Sequence, residues 1–400
     1  MKRTMCGLAA LLLILCASMP ARAQGTEWKK LNDEVMSLYR QGDYERAVEA
    51  AKKALQVAEQ AVGPDHPEVA TSLNNLAMLY RVQGQYSQAE PLYKRSLAIR
   101  EKALGPDHPD VATTLNNLAE LYRVQGRYTQ AEPLYKRLLA IREKALGPDH
   151  PEVASSLNTL AALYRAQGQY SQAEPLLKRA LEIREKALGP DNPEVATSLN
   201  NLGLLYRTQG LCAQAEPLFK RSLAIYEKAL GPDHPDVAAS LNNLAEVYRA
   251  QGQYEQAEQL YKRSIDIREK ALVPDVATSL NNLAALYMAQ GRYAQAEPLL
   301  KRSLEIFEKT LGPHHPDVAT SLKNLAALYR KTGRDDEAAN LEKRAADIQA
   351  MKRSNQTADK TLHLTVFREK EHSPASSGIK LALSHPRIRT DFAAGKEQNV

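Results

Sequence analysis

The chain has 400 residues, a quarter of them charged, and a formal net charge of +6 at neutral pH. Residues 1–23 carry three basic and no acidic side chains, residues 351–400 carry nine basic and five acidic ones, and residues 24–350 are close to neutral, with 41 basic and 42 acidic ones. A protein that binds nucleic acid needs a basic surface on its folded body, so this distribution disfavours a nucleic-acid partner.

The N-terminus has the parts of a secretory signal peptide. Lys2 and Arg3 precede an apolar run from Cys6 to Ala17, and small residues at Ala21 and Ala23 form a cleavage site. We therefore predict that residues 1–23 are a signal peptide and that the mature protein is secreted across the inner membrane to a periplasmic location. The apolar run is too short for a lasting anchor, so no stable membrane insertion is expected after cleavage.

A glycine recurs at a nearly constant interval and defines a repeat. Its positions are Gly42, Gly84, Gly126, Gly168, Gly210, Gly252, Gly291 and Gly333. The interval is 42 residues, except for one of 39 residues between Gly252 and Gly291, where three linker residues are missing. Repeats of this length are typical of solenoid proteins. We expect eight units within residues 24–350, with both helices intact in the shortened unit.

Each unit contains two amphipathic stretches with the period of an α-helix. In the second unit the apolar residues are Val69, Ala70, Leu73, Leu76, Ala77 and Tyr80 in the first stretch, and Ala89, Leu92, Tyr93 and Leu97 in the second. Each set falls on one face of a helix with 3.6 residues per turn. Because one helix pair cannot bury these faces alone, successive pairs are predicted to stack, with contacts only between neighbours.

The helix ends are marked by local signals. Gly105 predicts a helix stop, and Pro109 suits the first position of the next helix. Ser87 and Glu90 have the spacing of a capping box at the start of the second helix, and the same spacing recurs in the next two units. Pro91 is expected in or near the first turn of that helix, where its missing N–H costs least.

The unit resembles a known repeat family. The order Leu76, Ala77, Tyr80, Gly84, Tyr86, Ala89, Tyr93 resembles the tetratricopeptide repeat. The segment Val-Ala-Thr-Ser-Leu-Asn-Asn-Leu-Ala, together with Gly-Pro-Asp-His-Pro, resembles the subclass found in kinesin light chains. HEAT and armadillo repeats have similar lengths but lack this spacing of glycine and tyrosine. The resemblance implies an all-α, right-handed superhelical solenoid of helix-turn-helix repeats, here of a bacterial exported type.

The resemblance also implies that the first helix of each unit lines a concave groove, where three rows of polar residues would lie. The first row is Asn74, Asn116, Asn158, Asn200, Asn242 and Asn281. The second is Asn75, Asn117, Asn201, Asn243, Asn282 and Asn324, with Thr159 in the fourth unit. The third is Arg81, Arg123, Arg165, Arg207, Arg249 and Arg330, with Met288 in the seventh unit.

The chemistry of these rows suits an extended, acidic peptide. An asparagine amide donates and accepts at once, which matches a peptide backbone, and groove asparagines are assigned this role in kinesin light chains. An arginine presents a charged fork suited to carboxylates. We therefore predict a non-enzymatic scaffold that binds a protein or peptide partner in its groove, without a cofactor.

Other interpretations of the same residues remain open. The asparagines could bond to the neighbouring unit, and the arginine row could be a solvated face. Glu120 and Glu246 interrupt the basic row and either set the register of a ligand or pair with Arg123 and Arg249. The whole chain could instead be a structural spacer or a self-assembling envelope component with an unused groove, or a subunit that regulates an enzyme.

Several further features indicate no chemistry. The linker histidines His66, His108, His150 and His234 are one unit apart, which favours helix capping over metal binding. Cys212, the one cysteine outside the predicted signal peptide, is expected to be a small buried apolar residue. The sequence contains no nucleophile motif, phosphate-binding loop or metal-ligand cluster. Residues 351–400 lose the repeat and are predicted to be a mostly disordered basic tail.

The two terminal units depart from the pattern. The first unit has no asparagine pair, and Lys323 replaces the first asparagine in the eighth unit. We interpret them as the N-terminal and C-terminal caps that a solenoid needs.

Overall fold

The computed structural model describes residues 21–271 and 275–350. The predicted signal peptide up to residue 20, linker residues 272–274 and the predicted tail lie outside these ranges. The described residues are helices joined by short turns and include no strand.

The helices form pairs, and each pair is one repeat. They are α1 (Ala21–Gln41), α2 (Tyr44–Val62), α3 (Pro67–Val82), α4 (Tyr86–Leu104), α5 (Pro109–Val124), α6 (Tyr128–Leu146), α7 (Pro151–Ala166), α8 (Tyr170–Leu188), α9 (Pro193–Thr208), α10 (Cys212–Leu230), α11 (Pro235–Ala250), α12 (Tyr254–Lys270), α13 (Val276–Ala289), α14 (Tyr293–Leu311) and α15 (Pro316–Lys331). Residues 335–350 are also helical and complete repeat eight as α16. Repeat one is α1 with α2, repeat two is α3 with α4, and so on.

The predicted signals in the linkers between repeats are confirmed. Gly105 ends α4 with a φ of 89°, a conformation that glycine adopts without strain. Pro109 is the first residue of α5, and the Nδ1 atom of His108 accepts a hydrogen bond from the N–H of Asp110 at 3.1 Å. The other linker histidines named above cap their helices in the same way, so the capping interpretation is confirmed.

Two predictions about the second helices are wrong. The helix starts at Tyr86, with no side-chain cap from Gln85, so Ser87 lies inside the first turn instead of capping it. The cause is the tight turn at Gly84: the N–H of Gln85 bonds to the carbonyl of Tyr80 at 2.8 Å, and the chain re-enters a helix at once. Pro91 is consequently the sixth helical residue, beyond the first turn.

The shortened unit keeps both helices, as predicted. Its first helix, α13, has 14 residues where the other repeats from two to eight have 16. Asp275 precedes α13 without making a side-chain cap. The second helix, α14, has its usual 19 residues.

The repeats are joined by apolar clusters, one of which runs from Ala77 to Ala338, and by buried polar contacts. The Nη1 atom of Arg100, at the end of α4, donates to the carbonyl of Asp110 at 2.9 Å and to the hydroxyl of Thr114 at 2.7 Å, both in the next repeat. Arg184 and Arg268 make equivalent bonds further along. These long side chains tie α4, α8 and α12 to the first helix of the following repeat, a role that was not predicted from the sequence.

The first helices lie on the inner side of the stack. Those of neighbouring repeats contact each other, as α7 and α9 do. The second helices are linked across repeats by long side chains, such as Arg179 to Glu143 at 2.7 Å. The polar rows of the first helices therefore lie on the inner face, which we define as the surface formed by α3, α5, α7, α9, α11, α13 and α15.

Repeat one is joined to repeat two by its own side chains, whereas repeat eight lacks acceptors for a further repeat. In repeat one, Trp28 donates to the hydroxyl of Ser72 at 2.8 Å, and Asn32 accepts from Asn75 at 2.9 Å. In repeat eight, Ala339 and Ala350 stand where repeat two has Glu90 and Glu101, which accept hydrogen bonds from the following repeat. The last helix thus has no equivalent acceptors for a further repeat.

Candidate functional site

The asparagines of the inner face make hydrogen bonds between repeats. In one arrangement, the second asparagine of a repeat donates to the first asparagine of the preceding one. Asn117 donates to Asn74 at 3.0 Å, and Asn282 donates to Asn242 at 3.2 Å. Both acceptors, Asn74 and Asn242, are only 8% exposed, so these amides hold the stack together.

In a second arrangement, the first asparagine donates forward to a serine of the next repeat. Asn200 donates to Ser240 at 3.0 Å, and Asn281 donates to Ser321 at 3.0 Å. Asn158 makes a longer bond of this kind, 3.4 Å, to Ser198. The Oδ1 atoms of these three asparagines are buried without a hydrogen-bond partner. The structure therefore gives most of the asparagines an inter-repeat role, which was the alternative interpretation.

Four asparagines of the rows remain available to a ligand. Within the described part of the chain, the side chains of Asn116, Asn201, Asn243 and Asn324 make no hydrogen bond, and each is partly exposed. Asn201 and Asn243 belong to repeats five and six. The predicted backbone-binding role can therefore apply to these two at the centre of the inner face.

The arginine row is neutralised in repeat three. Arg123 forms a bidentate ion pair with Glu120, with hydrogen bonds of 2.6 and 2.7 Å. The hydroxyl of Tyr135 donates a hydrogen bond to the same carboxylate at 2.9 Å. Burial alone would raise the pKa of Glu120, but the hydrogen bonds from Arg123 and Tyr135 outweigh it and lower that pKa. Glu120 is therefore charged and compensates Arg123.

The same arrangement recurs in repeat six. Arg249 pairs with Glu246 at 2.9 Å, and Tyr261 donates to that carboxylate. In repeat eight, Arg330 bonds to Asp335 and Glu342 at 2.9 and 2.8 Å. Of the two interpretations of Glu120 and Glu246, the structure supports pairing with arginine.

Repeats four and five have unpaired arginines. Within the described residues, the side chains of Arg165 and Arg207 make no hydrogen bond or ion pair. Ala162 and Leu204 occupy the places that Glu120 and Glu246 occupy in their repeats. Burial lowers the pKa of Arg165, and the positive charges of Arg207 and Arg123 lower it further. A guanidinium stays protonated nonetheless, so this part of the inner face carries uncompensated positive charge.

Arg81 in repeat two is an intermediate case. Met78 stands where Glu120 stands in repeat three, and the Nε atom of Arg81 is buried without a partner. The charge of Arg81 nevertheless helps to lower the pKa of Glu120 in the next repeat. Glu120 therefore compensates part of the charge on both Arg81 and Arg123.

A buried ionic cluster between repeats two and three was not predicted from the sequence. Glu90 is 2% exposed and bonds to Arg127 and Lys94, both at 2.6 Å, and to the hydroxyl of Tyr122 at 3.0 Å. Burial alone would raise the pKa of Glu90, but its basic partners lower it to about 2. The available signal was an arginine directly after the turn glycine, at Arg127, Arg292 and Arg334. The cluster joins repeats through Arg127, which is not a member of the arginine row.

Neither a metal-ligand cluster nor a membrane-spanning helix is present among the described residues. They contain no group of three or more histidine, cysteine, aspartate or glutamate side chains that could hold a metal ion. Cys212 is a free thiol, half-buried at the start of α10, which is more exposed than the sequence analysis expected. No helix in these ranges is long and apolar enough to cross a bilayer.

These features define a helical solenoid scaffold built from stacked helix pairs. The family model for the tetratricopeptide repeat matches residues 31–102, 73–144, 110–186, 160–228, 194–270 and 275–350. The chain belongs to the tetratricopeptide repeat family, which confirms that part of the resemblance. No curated protein matches the sequence.

The chain is similar to several solved structures. A putative kinesin light chain of nearly identical TPR-like repeats from Podosopora anserina is 32% identical, with 52% of this chain and 98% of that chain covered and a TM-score of 0.45. A tetratricopeptide repeat protein from Parabacteroides merdae is 20% identical, covering 75% and 99%, with a TM-score of 0.52. A Rap protein complexed with competence and sporulation factor is 16% identical, covering 84% and 100%, with a TM-score of 0.51. The last two are similar to this chain in fold alone.

Proposed function

We propose that this protein is a non-enzymatic scaffold that binds an extended, acidic segment of a protein partner on the inner face of repeats four to six. The tetratricopeptide fold typically serves as a non-catalytic scaffold. The observation that carries the proposal is the contrast along the arginine row. Arg165 and Arg207 have no anionic partner, whereas Arg123 and Arg249 on either side are paired with Glu120 and Glu246.

The energetics favour an anion at this place. An arginine that is partly withdrawn from water without a counter-charge raises the free energy of the unbound protein, and a second arginine in the next repeat adds repulsion. A carboxylate bound between them offsets both effects. Charge complementarity of this kind also speeds association with acidic partners and discriminates against basic ones.

Replacing the two unpaired arginines should selectively weaken binding of an acidic peptide. We expect Arg165→Gln with Arg207→Gln to reduce affinity for a short glutamate-rich peptide by about tenfold or more, since a hydrogen bond to a charged group contributes about 1.5–3 kcal/mol. The binding that remains should depend less on salt, because screened charge is what is removed. Fluorescence anisotropy at two salt concentrations measures both effects.

Matched controls come from the same repeats. Arg179 and Arg221 lie on the second helices of repeats four and five and pair with Glu143 and Glu185 at 2.7 and 2.6 Å. Arg179→Gln with Arg221→Gln removes the same formal charge from outside the arginine row and should leave affinity nearly unchanged. If the variant with Arg165→Gln and Arg207→Gln binds the acidic peptide as tightly as this control does, the proposal is overturned.

A structural spacer with an unused groove is the second candidate. The hydrogen bonds of Asn74, Asn200 and Asn281 favour it, because they use inner-face residues to join repeats. Assembly by stacking of C-terminal ends is disfavoured, because Ala339 and Ala350 remove the acceptors that another repeat would need. A spacer would bind neither acidic nor neutral peptides in the experiment above.

We also propose that the protein acts outside the cytoplasm after cleavage behind Ala23. The support is the charge and apolar pattern of residues 1–23. The intact mass of protein from the periplasmic fraction of a Gram-negative host tests this, and a species there that retains Met1 would contradict it.

A further inference from the structure

We infer that the inner face recognises two acidic residues three positions apart, in a segment with the polyproline II conformation. The inference rests on the proposed function and specifies its ligand. The inference is based on two observations. Among the described residues, Arg165 and Arg207 are unpaired in consecutive repeats, four and five. In the flanking repeats, three and six, the arginine of the row is paired with a glutamate. Together they define both the spacing of the recognised acidic residues and their number.

The spacing follows from helix packing. The first helices of repeats four and five contact each other, and packed helices lie about 8–10 Å apart. Arg165 and Arg207 occupy the same place in their repeats, so their attachment points differ by about this distance. A segment that runs across the helices must present its two carboxylates at the same separation.

Only one extended conformation gives this separation on a single side of the segment. A β-strand rises about 3.3 Å per residue and places alternate side chains on one side, at about 7 or 13 Å. A polyproline II helix rises about 3.1 Å per residue with three residues per turn, so side chains three apart share a side at about 9 Å. Its backbone makes no internal hydrogen bonds, which leaves it free to bond with the amides of Asn201 and Asn243.

The number of acidic residues follows from the flanking pairs. An acidic residue three positions further out on either side would meet Arg123 or Arg249, whose charges are already matched by Glu120 and Glu246. Such a residue would find no unpaired guanidinium to bind. It would also lie close to the carboxylate of Glu120 or Glu246, which would repel it. The preferred segment therefore has a pair of acidic residues and neutral residues at the next positions of the same period.

A peptide series tests the spacing. Proline-rich peptides of equal length and composition carry two glutamates two, three or four positions apart, and anisotropy gives their affinities for the wild-type protein. We expect the three-apart peptide to bind most tightly, by about tenfold, because the others lose one charged hydrogen bond. Arg207→Gln should remove this preference, whereas Arg221→Gln should retain it.

A change of specificity tests the predicted number of recognised acidic residues. Glu120→Gln with Glu246→Gln keeps an acceptor for Tyr135 and Tyr261 but releases Arg123 and Arg249. This variant should prefer a peptide with four glutamates, each three apart, over the two-glutamate peptide by about tenfold or more, whereas the wild-type protein should not bind the four-glutamate peptide more tightly.

The outcomes separate the inference from the proposed function. If all spacings bind equally, or another spacing binds most tightly, and Arg165→Gln with Arg207→Gln still weakens binding, the acidic site stands and the spacing rule is overturned. If no acidic peptide binds the wild-type protein, the proposed function itself falls.

Discussion

Leu199→Ala should lower the free energy of unfolding by about 2–5 kcal/mol, the usual cost of deleting a buried leucine side chain. Leu199 is 1% exposed and packs in a cluster with Val195, Ile225, Val237 and Leu241, which spans repeats five and six. Because each repeat of a solenoid contacts only its neighbours, the loss should stay local. Hydrogen exchange should quicken in repeats four to six and remain slow in repeats one, two and eight.

Leu204→Ala is the matched control for this prediction. Leu204 lies in the same helix, α9, but is partly exposed, so the same substitution should cost less. A uniform rise in exchange across all eight repeats of the Leu199 variant would contradict the nearest-neighbour account of stability.

Glu90→Gln should remove a large part of the acid sensitivity of the N-terminal half. The pKa of Glu90 is lowered from 4.5 to about 2 in the folded protein, so its ionised form stabilises the fold. This contribution is fully present above the unfolded pKa and is lost as pH falls from about 4.5 towards 2. A shift of this size corresponds to ~3 kcal/mol. Denaturant unfolding at pH 7, 4 and 3 measures it.

Glu216 supplies the control for the pH experiment. It occupies the position of Glu90 in repeat five and pairs with Lys220 at 2.7 Å, but it is 24% exposed, and Gln253 in repeat six stands where Arg127 would be. We expect Glu216→Gln to be less destabilising at pH 7 and to leave the slope of stability against pH closer to that of the wild type. The buried-cluster account fails if both variants keep the full wild-type slope between pH 4 and 3.

The hydrogen-bond partners of the residues in the polar rows could not be predicted from the sequence. Asn74 and Asn200 occupy equivalent positions, yet the first accepts from Asn117 and the second donates to Ser240. The choice depends on side chains about 40 residues away. The arginine row divides for a similar reason, since Arg123 has Glu120 beside it and Arg165 has Ala162. Both rows are visible in the sequence, but which of their members are free is not.

The sequence by itself determined the number of repeats, the helix pairs, the linker caps and the family, because those signals are local. A glycine with positive φ, a proline at a helix start and a capping histidine act within a few residues. The tertiary structure decided which groove residues join repeats and which stay free, because hydrogen bonds and packing link different helices. Gly203 is one example: a Cβ atom there would lie 2.8 Å from the ring of Phe219, a contact that exists only once α9 and α10 pack together.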